Sequence, residues 1–340
     1  MGLLDRLFQG SGTTQPRQEP ELFGRPIEEE IAERISNPAY LVLLSTFLAP
    51  NEPTGARLQY LSDALGKPVA VAIDDLIRSE MLVEASILQR LECRSAIDLR
   101  TLAKERKIKV SGTKSELVQR LAQADPQGME ALVTDKRLLI CSEAGRQRVL
   151  DFRNQVRQER EKAQSQCFES LLAGDLTQAC MQMIAFEAGQ PVGRGIGIDW
   201  KHRDIGDDVA FLRTLYASKP AILGELDGTD LAGLHIAAAM MHLWGTDDVG
   251  NWLPTDLANR LRLGPATSAR MMIFDVRDQL ERQKYARLGM QRMRLLACPG
   301  SCSVCLEAAK RRYTLADAPR LPHAGCTNEM GCRCILMQED

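Results

Sequence analysis

The chain has 340 residues, of which 44% are hydrophobic and 26% are charged, and its net charge at pH 7 is −2. A chain of that length can form roughly two or three domains with cores of their own. Because the net charge is near zero, binding to nucleic acid would need a local basic patch, and an aromatic content of 5% argues against a stacking surface for single strands.

The first residues predict no folded domain and no export. Residues 9–21 are polar and rich in Gly, Pro and Gln, so residues 1–21 are predicted to be a disordered leader and linker. Met1 to Phe8 lack the long apolar core of a signal peptide, and no apolar run reaches the roughly 18 residues of a membrane span. We therefore expect a cytoplasmic protein without a membrane partner, in which thiols stay reduced.

Residues 22–150 are predicted to form a winged-helix-like domain. Apolar periodicity predicts three helices, over 38–48, 55–65 and 68–81. A strand over 81–85 follows, and 138–141 is its expected partner, so the order resembles that of a winged helix. The third helix carries Asp74 and Asp75 at the recognition position, which favours protein contacts over phosphate contacts.

A helical hairpin is predicted between those two strands, within 90–126. Two apolar stripes at helical spacing flank a turn, and they consist of Ile97, Leu99, Leu102 and Ala103, then Leu117, Val118 and Leu121. Gly112 suits a turn with positive φ. Thr113 and Glu116 have the spacing of a capping box, so the second helix is expected to begin just after Thr113.

The hairpin is basic although the whole chain is not. Residues 95–125 contain seven Lys and Arg against four Asp and Glu, a net charge of +3. Lys107, Lys109 and Lys114 flank the turn, where the second helix offers free backbone N–H groups and the positive end of its dipole. Such a corner is suited to binding phosphate.

The segment L-x-x-L…K-V-S-G-T-K-x-E-L-x-x-R-L resembles the SAP motif, a small DNA-binding helical hairpin. The matching residues are Leu99, Leu102, Val110, Gly112, Thr113, Lys114, Leu117, Arg120 and Leu121. The resemblance implies binding of duplex DNA, often AT-rich, through the turn and the start of the second helix. By position it implies contacts from Lys109, Ser111, Gly112, Thr113 and Lys114, supported by Arg100 and Lys104. The alternative is a hairpin that packs against its host domain or binds protein.

Residues 151–290 are predicted to be a helical domain of unassigned role. A long charged helix over 146–166 leads into it, and later helices are predicted over 208–218, 231–243, 257–263 and 268–285. His235 and His242 are two helical turns apart, about 10 Å, which is too far for one metal ion. We interpret both as core or surface residues.

Six of the ten cysteines fall in the last 43 residues. Two groups of thiols about twenty residues apart are typical of a zinc site, and bound zinc would replace the core that residues 291–340 cannot supply. The candidate ligands are Cys302, Cys305, Cys326, Cys332 and Cys334, of which Cys302, Cys305, Cys326 and Cys334 are the first choice. Cys298 and His323 are reserves, and disulfides or free thiols are the alternative. Four protein ligands would make the zinc structural.

The same C-terminal pattern, C-x-x-C…Y-x-L…P-x-L-P…C…G-C-R-C, resembles the last segment of phage head-morphogenesis (minor head) proteins. That resemblance implies phage or prophage ancestry and leaves the function open.

These patterns predict a mainly α, multidomain protein. It would comprise a winged-helix-like N-terminal domain with an inserted SAP hairpin, a helical middle domain and a small Cys-rich zinc module. We expect non-catalytic binding of duplex DNA, together with a protein partner or a homo-oligomer. One alternative is a phage-related scaffold for head assembly that acts by protein–protein contacts. The other is a metal-dependent nuclease, for which the sequence contains no H-x-E, no H-E-x-x-H and no paired acidic motif on a convincing strand–helix frame.

Overall fold

The computed structural model describes residues 37–53, 58–133, 137–195, 197–224 and 226–339, so the predicted leader over 1–21 lies outside the described residues. The chain divides into two compact units, residues 1–150 and 151–340. Both are mainly helical, as predicted, with short strands. The division of the second unit at residue 290 stays a prediction.

The first unit contains short helices and a two-stranded sheet. Its first elements are α1 (Pro38–Ser45), a 3-10 turn (Gln59–Leu61), α2 (Ser62–Leu65), α3 (Val69–Arg78) and β1 (Leu82–Glu84). The helix predicted over 55–65 is thus a 3-10 turn followed by one turn of α-helix where the structure describes it. β1 pairs antiparallel with β2 (Leu139–Cys141), in the register Val83 opposite Ile140.

Asp75 of α3 belongs to the core of this unit. Its side chain is 1% exposed and accepts hydrogen bonds from the Tyr40 hydroxyl at 2.8 Å and from Lys67 Nζ at 3.2 Å. One of the two carboxylates that make α3 acidic in sequence is therefore buried among partners instead of facing solvent.

Between β1 and β2 the described residues form four helices instead of the predicted two. They are α4 (Ile87–Glu92), α5 (Ala96–Glu105), α6 (Lys114–Ala124) and α7 (Pro126–Val133). Where the insertion joins the sheet, Ala85 N–H donates to Leu138 O at 2.9 Å.

The four helices enclose a hydrophobic core of their own. Its buried members are Leu91, Leu99, Ala103, Leu117, Val118, Leu121 and Met129. Ile97, expected in the first apolar stripe, is instead 74% exposed. It lies in the first turn of α5, on a face that none of the described helices covers, so this part of the prediction is wrong.

The second unit is built around a large helical core. Its helices are α8 (Glu143–Leu172), whose first residues, 143–150, are counted with the first unit, and then α9 (Leu176–Gly189), α10 (Gly206–Ala217), α11 (Gly228–Trp244), α12 (Thr255–Arg260) and α13 (Pro265–Arg287). Trp244 is fully buried in that core. His235 Nε2 lies 2.8 Å from Ser218 O, and the ring of His242 stacks on Phe211 with centroids 3.8 Å apart. Both histidines thus have packing partners within the helical bundle.

A small sheet follows α13. Its elements are β3 (Arg292–Leu296), α14 (Ser303–Ala309), β4 (Arg312–Thr314) and β5 (Ile335–Gln338), and the strand order is β4-β3-β5 with both pairs antiparallel. Met293 and Leu295 point into a second core, which contains four cysteines and Met271 of α13. Along the described parts of the chain, no helix has the length and apolar character needed to cross a membrane.

Candidate nucleic-acid interface and metal centre

The turn between α5 and α6 alternates between inward and outward residues. Ile108 and Val110 are partly buried against the hairpin core, so Lys107, Lys109 and Ser111 are left exposed between and beside them. The turn begins with Lys107 at φ 57°, a conformation that L residues adopt at a cost, and ends with Gly112 at φ 110°. The backbone therefore presents its lysines to solvent.

The side chain of Arg120 in α6 braces this turn by hydrogen bonds to its backbone. Its guanidinium donates to the carbonyl oxygens of Lys109 and Ser111, and its Nε donates to Glu116 O at 3.1 Å. Arg120 matched the motif in sequence, but its positioning role was missed, since spacing does not show that a side chain returns to the backbone about ten residues earlier. With that brace, the exposed turn is fixed in shape.

A capping box begins α6, as predicted. Thr113 Oγ1 accepts from Glu116 N–H at 3.3 Å, and Glu116 Oε2 accepts from Thr113 N–H at 2.9 Å. Fewer N–H groups are therefore free to bind phosphate than expected, because those of Thr113 and Glu116 donate within the capping box. Within the described structure, the N–H groups of Lys114 and Ser115 have no protein acceptor and are available to an anion.

All eight predicted DNA-binding residues are exposed: Arg100, Lys104, Lys107, Lys109, Ser111, Gly112, Thr113 and Lys114. None of the five cations in that set has an ion-pair partner among the described residues. The other two cations of the segment are structural, since Arg120 braces the turn and Arg106 donates to Asp125 at 2.7 Å. Arg106 and the Gly128 N–H lower the pKa of Asp125.

Two carboxylates lie close to this basic turn. Glu116 is part of the capping box, and Glu92 accepts from the Ser115 hydroxyl at 3.5 Å. Their charge repels phosphate at the Thr113 end of the turn, where Glu116 lies, and beside Ser115, where Glu92 of α4 lies. The candidate phosphate contacts are the turn residues Lys109 and Lys114, together with Arg100 and Lys104, which lie one helical turn apart on α5.

The five predicted cysteine ligands come together in the second unit. The thiols of Cys302, Cys305 and Cys326 form one group, those of Cys305, Cys332 and Cys334 form another, and within each group all sulfurs lie within 4.8 Å. Cys302 and Cys326 Sγ are 3.7 Å apart, and Cys305 and Cys332 Sγ are 4.0 Å apart. Four sulfurs around zinc at about 2.3 Å would be separated by about 3.8 Å. The donor set therefore fits a metal ion.

Backbone N–H groups favour the thiolate form at one ligand. Burial opposes ionisation of Cys302, but hydrogen bonds from the N–H groups of Cys305 and Thr327 lower its pKa to about 6. Burial and the neighbouring thiol Cys332 raise the pKa of Cys305. Thiols crowded together without a cation resist joint ionisation, so a metal ion is the charge that would let them ionise together.

The two reserve ligands are not part of either group. Cys298 donates to Arg333 O at 3.0 Å, and His323 Nδ1 accepts from Gly325 N–H at 3.1 Å. A neighbour that sequence reasoning missed is Met271 of α13, whose sulfur accepts from Cys332 N–H at 3.2 Å. Nothing in the cysteine spacing indicates a contact so distant in the chain.

Comparison with known proteins assigns the hairpin. The family model of the SAP domain matches residues 94–126, which begin just before α5 and end at the start of α7. No curated protein and no solved structure matches the chain, and the expected resemblance to phage head-morphogenesis proteins gains no support from them. A SAP domain suggests binding to DNA. Residues 94–126 of this chain are thus identified as a SAP domain.

Proposed function

We propose that this protein binds duplex DNA without catalysis, through the turn of its SAP domain. The observation that carries the proposal is the set of five exposed cations without ion-pair partners beside a turn braced by Arg120. Lys109 and Lys114 would contact phosphates, and the free N–H groups of Lys114 and Ser115 would add hydrogen bonds. Because these contacts are to the phosphates of DNA and not to its bases, the affinity should depend strongly on salt and weakly on DNA sequence.

The test is to reverse the charge of Lys109 and Lys114 in the full chain. Both side chains are exposed, and glutamate at the first position of α6 is compatible with the helix dipole, so the fold should survive. We expect Lys109→Glu with Lys114→Glu to weaken DNA binding at least about tenfold and to lower the salt slope by about 2.

A matched control is Arg153→Glu with Lys162→Glu, which makes the same charge change at exposed positions of α8. Unchanged affinity of the hairpin variant in a gel-shift titration, or an equal loss in the control, would refute the proposal. A scaffold that acts only by protein contacts predicts no DNA shift at physiological salt, and it remains the second candidate.

We also propose that the C-terminal thiols hold one structural zinc ion. Cys302, Cys305 and Cys326 would supply three ligands, and Cys332 or Cys334 the fourth, which leaves no open position for substrate. The positive charge of zinc would stabilise the thiolates and keep them together in the fold. Metal analysis of protein purified without added metal tests this directly, and one zinc ion per chain is expected.

The remaining parts of the proposal follow from the sequence. The three helices and strand pair of the first unit would form a winged-helix-like scaffold for the SAP domain, in a cytoplasmic protein. A single small hairpin binds modestly, so a protein partner or a homo-oligomer would raise the affinity. A nuclease assay beside the DNA titration checks the expected absence of catalysis, and cleavage would overturn that part.

A further inference from the structure

The outer face of the C-terminal sheet is rich in arginine. Alternate residues of β3 point outward, which exposes Arg292 and Arg294, while Met293 and Leu295 are buried beneath them. Such alternate residues on one strand are about 7 Å apart. On the neighbouring strand β4, Arg312 lies directly opposite Arg294. Three guanidinium groups therefore share one small surface.

This arrangement is costly for the isolated protein. Like charges directly opposite each other on neighbouring strands destabilise a sheet. One carboxylate on this face, Glu339, compensates in part, because it forms an ion pair with Arg312. Arg292 and Arg294 have no acidic partner among the residues that the structure describes. Both guanidinium groups are exposed and are therefore available to an anion that binds from outside.

We infer that this face is a second contact surface for duplex DNA, which binds phosphates through Arg292 and Arg294. The occupant is argued from charge complementarity: a polyanion with regularly spaced phosphates fits arginines repeated along one strand. The inference rests on the proposed function only in its choice of DNA as that polyanion. It adds a binding site far along the chain from the SAP domain.

The choice between a nucleic acid and a lipid surface is an outcome of the test. The same side of the sheet carries an exposed apolar pair, Leu296 opposite Ile335. Arginines beside exposed aliphatic residues also suit an anionic membrane surface. The vesicle arm is sedimentation with phosphatidylserine vesicles. A higher affinity for these vesicles than for DNA, lost when the same arginines are changed, would overturn the assignment to DNA.

The experiment compares full-length variants in titrations of a short DNA duplex over a range of salt concentrations. Arg292→Gln with Arg294→Gln should lower the affinity several-fold and reduce the salt slope by about 2. Arg292→Lys with Arg294→Lys should restore most of both. Arg153→Gln with Lys162→Gln is the charge-matched control on α8, and its slope should match the unmodified chain. An unchanged slope in the Arg→Gln variant, with its metal content retained, overturns the inference.

Combining variants separates this inference from the proposed function. If both surfaces bind, the salt slope that remains in Lys109→Glu with Lys114→Glu should fall by about 2 more when Arg292 and Arg294 are also changed to Gln. If the hairpin variant has no effect but the sheet variant lowers the slope, the sheet binds DNA and the proposed role of the SAP domain fails. The reverse result retains the SAP domain and rejects the sheet.

Discussion

The SAP domain and the C-terminal cysteine module, residues 291–340, are stabilised in different ways. The helices around the SAP turn enclose seven buried hydrophobic residues, and no thiol is needed among them. The core around the C-terminal sheet has eleven buried residues, and four of them are cysteines of the candidate metal site. The first core consists of hydrophobic side chains, whereas the second core would depend on the proposed metal ion to neutralise its thiolates. Each can therefore be perturbed without the other.

Removing a ligand of the proposed metal ion should give the largest difference between the two regions. Structural zinc contributes on the order of 10 kcal/mol to small zinc domains, so Cys305→Ser, which removes the thiol shared by both groups, should lose the metal and unfold residues 291–340. Metal analysis and amide hydrogen exchange measure this.

Exchange protection of α5 and α6 should be unaffected in that variant. Cys298→Ser is the matched control, since Cys298 belongs to neither group, and it should retain the metal. Equal metal loss in both serine variants would contradict the ligand assignment.

Truncation in the hairpin core should act on the SAP domain alone. Leu99 is fully buried, so Leu99→Ala should lower the free energy of unfolding by about 2–5 kcal/mol. Ile97→Ala, at a side chain that is 74% exposed, should change it by no more than about 0.5 kcal/mol. Denaturant unfolding followed by hydrogen exchange distinguishes the two, and similar losses for both would show that α5 packs differently.

A methyl group at the turn should have a smaller effect. At Gly112 an added Cβ would lie 2.3 Å from Glu116 Oε2 and 3.0 Å from Arg120 Nη2, at a φ of 110°. Gly112→Ala should therefore cost about 1–3 kcal/mol and weaken DNA binding, because it displaces both the capping box and the brace.

The control for that substitution is Gly289→Ala. Gly289 also has positive φ, 69°, but nothing lies within 4 Å of the added carbon. It should cost about 1 kcal/mol through backbone strain and leave DNA binding unchanged. Thermal unfolding and the DNA titration measure both effects, and equal loss of DNA binding would argue against a role of the turn.

The smallest effect is expected at Lys107, and it is a gain. Because this residue has φ 57°, Lys107→Gly should stabilise the hairpin by up to about 1 kcal/mol, while Lys104→Gly, within α5, should destabilise it by about the same amount. Both variants lose one exposed cation. A lower melting temperature for Lys107→Gly would show that the Lys107 side chain stabilises the hairpin by more than the positive φ of its backbone destabilises it.

Local patterns in the sequence predicted local structure well. The capping box of Thr113 and Glu116 needs only residues three apart, and the structure confirms it. The same signal, Ser86 and Gln89, marks the start of α4 and could have revealed that helix. Burial of Ile97 could not be decided in this way, because it depends on which helices cover α5.

For the candidate metal site, too, the sequence predicted the local pattern but not the contacts made by distant residues. Cysteine spacing identified the five thiols that the structure brings together, but the contact of Met271 with Cys332 depends on tertiary packing. The cross-strand position of Arg294 and Arg312 likewise required the strand register, which the sequence alone does not reveal.

The hydrogen bond from Ala85 to Leu138 has a practical consequence. The chain leaves the two-stranded sheet and returns to it at neighbouring points, 2.9 Å apart at that bond. A short β-turn joining those two points could replace everything between them. The whole insertion between Ala85 and Leu138, of which the SAP domain is the middle part, could therefore be exchanged for another domain on the same two strands.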